Sequence, residues 1–239
     1  HTNYDFGSGD IICYHGVYDM FRNQKFASTV YSSQMDTDKK IILEPITIYA
    51  RGERAIGGIT PLMISTNCDY VEVYFKDIMI AKEYPATNKY QGLKHPPIII
   101  NIEQNIPGVS SMNWEDLKVI GYINGKAEIE RKYLKNPTFK ELQIFSDDKE
   151  INSINEGTAW DSTRITIKAV DSCGNRLPYI NEAINIEVKG AGELIGNDNP
   201  VLEGGYYSFW VKTNTKKGII KITVSNKRVE SKSIEIKVK

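Results

Sequence analysis

Residues Tyr14 to Gln34 read Tyr-His-Gly-Val-Tyr-Asp-Met-Phe-Arg-Asn-Gln-Lys-Phe-Ala-Ser-Thr-Val-Tyr-Ser-Ser-Gln, the one helical pattern in a chain that otherwise alternates like strands. Phe26, Ala27, Val30, Tyr31 and Gln34 fall on one face at the 3.6-residue period, with Lys25, Ser28, Ser32 and Ser33 opposite. Asn23 is the expected N-cap, its side chain accepting a backbone N–H of the first turn. An apolar helix stripe needs a cover, and the sequence supplies no partner helix. We expect Phe26, Val30 and Tyr31 to pack on the β-structure that follows or on a second copy of the chain.

Outward from the helix, the polar linker Asp36–Lys40 changes the period from 3.6 to 2. Strands are expected over Ile42–Tyr49, with Pro45 arguing for an edge, then Thr60–Thr66, Tyr70–Phe75 and Ile78–Lys82. A loop over Tyr84–Pro97 leads to Ile98–Ile102, a short apolar run expected to be a central strand. Asn124-Gly125 between Leu117–Ile123 and Lys126–Tyr133 predicts a tight hairpin, because both turn residues tolerate positive φ. Beyond Leu134-Lys135-Asn136-Pro137 the alternation is cleaner: Ile165, Ile167 and Ala169, then Ile184, Ile186 and Val188, then Ile220, Ile222 and Val224, then Ile234, Ile236 and Val238. Each such strand has one wet and one buried face, as in packed antiparallel sheets. The fold class is mainly β: two immunoglobulin-like β-sandwiches over residues 37–137 and 138–239, preceded by a loop and helix over 1–36.

The chain has 239 residues, with 30 Lys and Arg against 30 Asp and Glu, so no basic excess points to nucleic acid or an anionic membrane as the partner. No apolar run approaches the roughly 20 residues of a membrane helix. The first residue is not Met and no signal-peptide pattern precedes the β-structure, so the chain reads as beginning inside a longer protein. Its compartment, a bacterial-type cytoplasm or secretion, is left open. Cys13, Cys68 and Cys173 show no Cys-x-x-Cys spacing and read as small buried or half-buried thiols rather than disulfides or zinc ligands. His1, His15 and His95 are not at metal-ligand spacing either, and no metal or cofactor is expected.

Gly16-Val17-Tyr18-Asp19-Met20-Phe21-Arg22, followed by Lys25 and the aromatic-rich helix, is similar to the last turn of the catalytic (β/α)8 barrel in glycoside hydrolase family 2, among its β-galactosidase-like members. Family members often have Pro at the first helical position, where this chain has Gln24. Further on, Ser65-Thr66-Asn67-Cys68-Asp69-Tyr70-Val71-Glu72-Val73 resembles the strands after that barrel. Val170-Asp171-Ser172-Cys173-Gly174-Asn175 with Leu177-Pro178, and Gly190-Ala191-Gly192-Glu193-Leu194-Ile195-Gly196, resemble the family's final sandwich. The resemblance makes residues 1–36 a remnant of the last barrel loop and helix. It implies a retaining parent enzyme that hydrolyses terminal β-galactosides without an organic cofactor.

Such an enzyme needs two facing carboxylates, about 5 Å apart for retention. The resemblance puts both on barrel strands upstream of His1, so this chain alone is expected to be a non-catalytic scaffold. Its implied partners are the upstream barrel of the same polypeptide, the carbohydrate substrate and a second copy in a homo-oligomer. It also puts Tyr4, Asp5, Phe6 and His15 in the loop after the eighth strand, at the face where barrels hold their active sites, where they either stabilise the fold or lie near substrate. Asp19 and Arg22 are expected to pair or to cap the helix. The alternative is a carbohydrate-binding or adhesin-type sandwich without a hydrolase, for which Trp114 and Trp160, in loops rich in Ser, Asn and Asp, are the candidate sugar platform.

Overall fold

The computed structural model describes residues 16–19, 21–50, 58–109, 114–153 and 159–239. The chain divides into two compact units, His1–Asn136 and Pro137–Lys239. Its described part is mainly strand, and all but one of the strand pairings are antiparallel.

In the first unit, α1 (Phe26–Ser32) precedes β1 (Leu43–Pro45), β2 (Leu62–Thr66), β3 (Tyr70–Phe75), β4 (Ile78–Glu83), β5 (Ile98–Ile100), α2 (Ile102–Asn105), β6 (Leu117–Ile123) and β7 (Lys126–Tyr133). A 3-stranded sheet in the order β1-β2-β5 faces a 4-stranded sheet in the order β4-β3-β6-β7. Leu43, Leu62, Ile64 and Ile98 from one sheet and Val71, Val73, Leu117 and Val119 from the other are fully buried in one core. The hairpin turn has the expected hand: Asn124 and Gly125 stand at φ 52° and 78°.

Two strands depart from the pattern. Only Leu43–Pro45 of the 42–49 alternation is ladder, since Pro45 has no N–H to donate and Tyr49 turns to φ 51°, its N–H taken by Thr47 Oγ1 at 2.9 Å. Ile98–Ile100 is an edge strand and not a central one, and its last isoleucine-rich turn becomes helix at Ile102, which is itself fully buried. A continuous apolar run marks burial on two sides, and here the second side is not another strand.

In the second unit, β8 (Glu141–Ser146), β9 (Glu150–Ile151), β10 (Ser162–Val170), β11 (Asn185–Gly190), β12 (Gly192–Ile195), β13 (Tyr206–Thr213), β14 (Gly218–Ser225) and β15 (Lys232–Val238) form two 4-stranded sheets, β12-β13-β10-β8 and β11-β14-β15-β9. Ile165, Ile167, Phe209 and Val211 meet Ile220, Ile222, Val224 and Ile236 between them. The chain leaves one sheet at Gly190 and enters the other at Gly192. Gly190 stands at φ 99°, and a Cβ there would lie 2.0 Å from the carbonyl oxygen of Ile219. The Gly-Ala-Gly stretch is thus the corner of the sandwich, where backbone passes backbone too closely for any side chain.

Gly190→Ala should therefore lower the unfolding free energy of the second unit by about 2 kcal/mol or more. Gly92→Ala, with nothing within 4 Å of its would-be Cβ, should stay within about 0.5 kcal/mol. Urea unfolding of the two variants checks this, and an equal response would remove the close-approach argument.

Candidate functional site

The segment before the first sandwich is organised by Asp19. Its Oδ1 accepts the N–H groups of Phe21 and Asn23, each at 2.8 Å, and its Oδ2 accepts the Asn23 side-chain amide at 3.0 Å. This closes a turn with Arg22 at φ 61°. Asp19 thus shapes the approach to the helix instead of capping it, and no Asp19–Arg22 ion pair forms among the described residues. The expected N-cap is corrected for the same reason. Asn23 is buried and engaged by Asp19; Lys25 occupies the N-cap position, with no side-chain hydrogen bond to the helix.

α1 then turns the opposite face from the expected one toward its own unit. It lies beside β2, and Ser28 and Ser33 are buried, as is Ser65 on β2. Phe26 is 36% exposed, Tyr31 71% and Met35 38%. Small serines let the helix backbone approach the sheet closely, and their hydroxyls are not wasted: Ser28 donates to the Lys25 carbonyl at 2.8 Å and Ser33 to that of Val30 at 3.0 Å. Of the stripe expected to pack on the first sandwich or on a second copy of the chain, Val30 is half-buried, while Phe26 and Tyr31 are not covered by the sandwich.

Polar side chains fasten the helix end instead. Gln34 grips the backbone of His95, its Nε2 donating to the carbonyl at 2.9 Å and its Oε1 accepting the N–H at 3.0 Å. Asp36 pairs with Lys94, and that hydrogen-bonded ammonium holds the Asp36 carboxyl below the usual carboxylate range. Burial, with Lys94 alongside, pushes the His95 imidazole down. Asn67, 3% exposed, is the hub. Its Oδ1 accepts the Ile42 N–H at 2.7 Å, and its Nδ2 donates to the carbonyls of Met35 at 3.0 Å and Lys40 at 2.8 Å. Thr66 Oγ1 donates to the Ile42 carbonyl and accepts the Cys68 N–H.

Of the site residues read from the sequence, Tyr4, Asp5, Phe6 and His15 lie outside the described residues. Trp114 is half-buried, its ring 4.2 Å from that of Tyr49 and packed on the first core. Trp160 is 50% exposed in the second unit. The structure thus gives these two tryptophans different surroundings, one packed on the first core and the other exposed in the second unit. Cys68 is buried, whereas Cys173 is exposed, against the expectation for it. Among the described residues, no group of three or more His, Cys, Asp or Glu could hold a metal ion, and no helix is long and apolar enough to cross a membrane. What the arrangement offers is mechanical: a helix clamped by polar contacts that presents an apolar face outward.

Comparison with known proteins fits that arrangement. The family model described as glycoside hydrolase family 2 C-terminal domain 5 matches residues 147–235. The chain is 48% identical over 208 residues to a β-galactosidase of Thermoanaerobacterium thermosulfurigenes, covering 85% of this chain and 28% of that protein. It is 34% identical over 245 residues to a β-galactosidase of Thermoanaerobacter pseudethanolicus, covering 100% of this chain and 32% of that protein. The chain belongs to the C-terminal region of glycoside hydrolase family 2. A β-glycosidase from Bacteroides vulgatus has the same fold, with a TM-score of 0.67 at 18% identity over 93% of this chain and 28% of that one. This family 2 region spans less than a third of the length of these two β-galactosidases.

Asn67→Ala should cost this region about 2–3 kcal/mol, because it strands the Ile42 N–H and two carbonyls near a buried site; thermal unfolding of the first unit measures it. The Asp36–Lys94 pair adds a pH dependence. A carboxylate whose folded pKa is depressed contributes stability above its unfolded pKa and loses it as pH falls through the folded value. The protection factors of amides over residues 33–40, which compare their exchange with that of an unfolded chain at the same pH, should thus fall between neutral pH and about pH 3. Lys94→Met should flatten that dependence, and an unchanged acid response would show that the pair does not contribute.

Proposed function

We propose that this chain is the non-catalytic C-terminal scaffold of a retaining glycosidase that hydrolyses terminal β-galactosides, and that the outward face of α1 seats the enzyme's upstream catalytic barrel. The observation that carries this reading is the split between the two faces of α1. Ser28 and Ser33 are buried against the chain's own sheet while Phe26, Tyr31 and Met35 are left open. A face of that composition, presented on a clamped helix, suits a large apolar partner. Two proteins named β-galactosidase that continue well beyond the matched region support a barrel of the same polypeptide as that partner.

The site chemistry agrees with a supporting role. Ionisable groups beside the helix and the first sheet serve structure: Asp19 a turn, Asp36 a pair with Lys94, Glu44 one with Arg131 and Glu115 one with Lys135. Hydrolysis then belongs to the barrel, and this chain contributes its position and rigidity.

The test uses the full-length enzyme and the isolated chain side by side. The isolated chain should not hydrolyse a nitrophenyl β-galactoside, and the full-length protein should. Ala27→Glu with Tyr31→Lys, charges that suit the ends of a helix, should leave the isolated chain within about 0.5 kcal/mol of its original stability. In the full-length enzyme the same pair should shorten the half-life of thermal inactivation several-fold. Equal half-lives would mean that the barrel is seated elsewhere.

A further inference from the structure

The outer face of the sheet β4-β3-β6-β7 carries a row of tyrosines that its core does not require. On β3 the core takes Val71, Val73 and Phe75, so Tyr70, Glu72 and Tyr74 point outward. The register sets Tyr70 opposite Tyr122, with ring centroids 4.7 Å apart and planes within 8°. Tyr84, just past β4, adds a third ring 5.5 Å from Tyr70 and is 59% exposed. On the far side a bulge between Gly121 and Tyr122 brings the short side chain of Ala127 opposite Tyr122. Asp69 Oδ2 accepts the Asn124 N–H at 2.7 Å and fixes the hairpin end beside the row.

Behind the rings lies a fixed polar group. Glu72 Oε2 accepts the hydroxyls of Tyr122 at 2.7 Å and Tyr74 at 2.8 Å. The Lys82 ammonium sits 4.2 Å from the centre of the Tyr70 ring and 3.8 Å from Glu72 Oε1. That last separation is longer than a hydrogen bond, so Oε1 keeps capacity to accept one more donor.

We propose that Tyr84, Tyr70 and Tyr122, with Glu72 and Lys82, form a binding site for a neutral oligosaccharide. Sugars combine apolar C–H faces with hydroxyls that need fixed partners, and this surface supplies rings and an oriented carboxylate together. An uncharged ligand suits this surface, because charges flanking the row are paired on the protein, Lys82 with Glu72 and Lys126 with Glu128. The rings are held by one another and by Glu72, so little freedom is lost on binding. A protein partner would favour a broad apolar centre, whereas this row is one residue deep and bordered by charged side chains. The inference goes beyond the scaffold reading and does not rest on it.

The experiment titrates the whole 239-residue chain, labelled with ¹⁵N, with lactose, cellotetraose and, as a charged control, tetragalacturonate. Saturable shifts of the amides near Tyr70, Glu72, Tyr84 and Tyr122 are expected with a neutral sugar, at a Kd on the order of millimolar. Tyr84→Ala, at an exposed position, should keep the thermal unfolding profile and raise that Kd at least fivefold. No saturable shift with either neutral sugar, shifts elsewhere on the surface, or an affinity untouched by Tyr84→Ala would each overturn the proposal. So would equal binding of tetragalacturonate, or self-association of the chain that buries this row. No hydrolysis is read in this experiment, so its outcome is independent of the test of the scaffold role.

Discussion

Asn67 is the constraint on which the first unit depends. A buried carboxamide has donors and an acceptor to satisfy, and this one satisfies them by pulling three points of the preceding segment, at Met35, Lys40 and Ile42, onto the start of β3. Its neighbours in sequence serve the same junction. Thr66 takes the Ile42 carbonyl, Cys68 sits 2.6 Å from where a Cβ on Gly121 would be, and Asp69 holds the hairpin at Asn124. Four consecutive residues thus tie the helix linker, the β2–β3 crossover and the β6–β7 hairpin together. An apolar residue at position 67 would leave three backbone groups without partners, which explains a polar side chain at 3% exposure in a β-sandwich.

This junction also explains how so short a helix persists. α1 has seven residues and no side-chain N-cap, well under the length at which an isolated helix is stable in water. Its stability comes from its ends: the Asp19 turn before it, the Gln34 grip on His95 and the Asn67 hub after it. The apolar face contributes little within the chain, since it is largely open. A helix held by polar contacts on one side is free to offer an apolar side to something else.

The sequence was legible where a local rule decides the outcome. Asn124-Gly125 fixes a hairpin because both residues accept positive φ, and the second unit's strands declare their faces by strict alternation down to Ile220, Ile222 and Val224. It was illegible where one residue's partner lies elsewhere. Asn23 looks like an N-cap until Asp19 takes its amide. Ile98–Ile100 looks central because isoleucines are buried on both sides, yet the sheet ends there. The helix periodicity identified which face is apolar but carried no information on which face this chain covers, because that is decided by the sheet the helix lies beside. The surface candidates followed the same rule. Trp114 and Trp160 stood out by residue type, whereas Tyr70, Tyr84 and Tyr122 are dispersed along the chain and become a row only through the β3–β6 register and the end of β4.

The first unit therefore divides its surface by chemistry. One sheet, β1-β2-β5, takes the serine side of α1, whose buried hydroxyls bond back to the carbonyls of the helix segment itself. The other, β4-β3-β6-β7, turns outward a set of tyrosines and one carboxylate locked by their own contacts. Locking matters because a mobile surface must be ordered at a cost whenever it meets a partner, whereas rings already stacked at 4.7 Å have met that cost in folding. A sandwich that served only as filler would need a core and a soluble exterior. Its outer tyrosines would not have to be aligned in register or tied to a shared carboxylate, and that excess of order on an exposed sheet face is what separates a surface built for contact from one built for solubility.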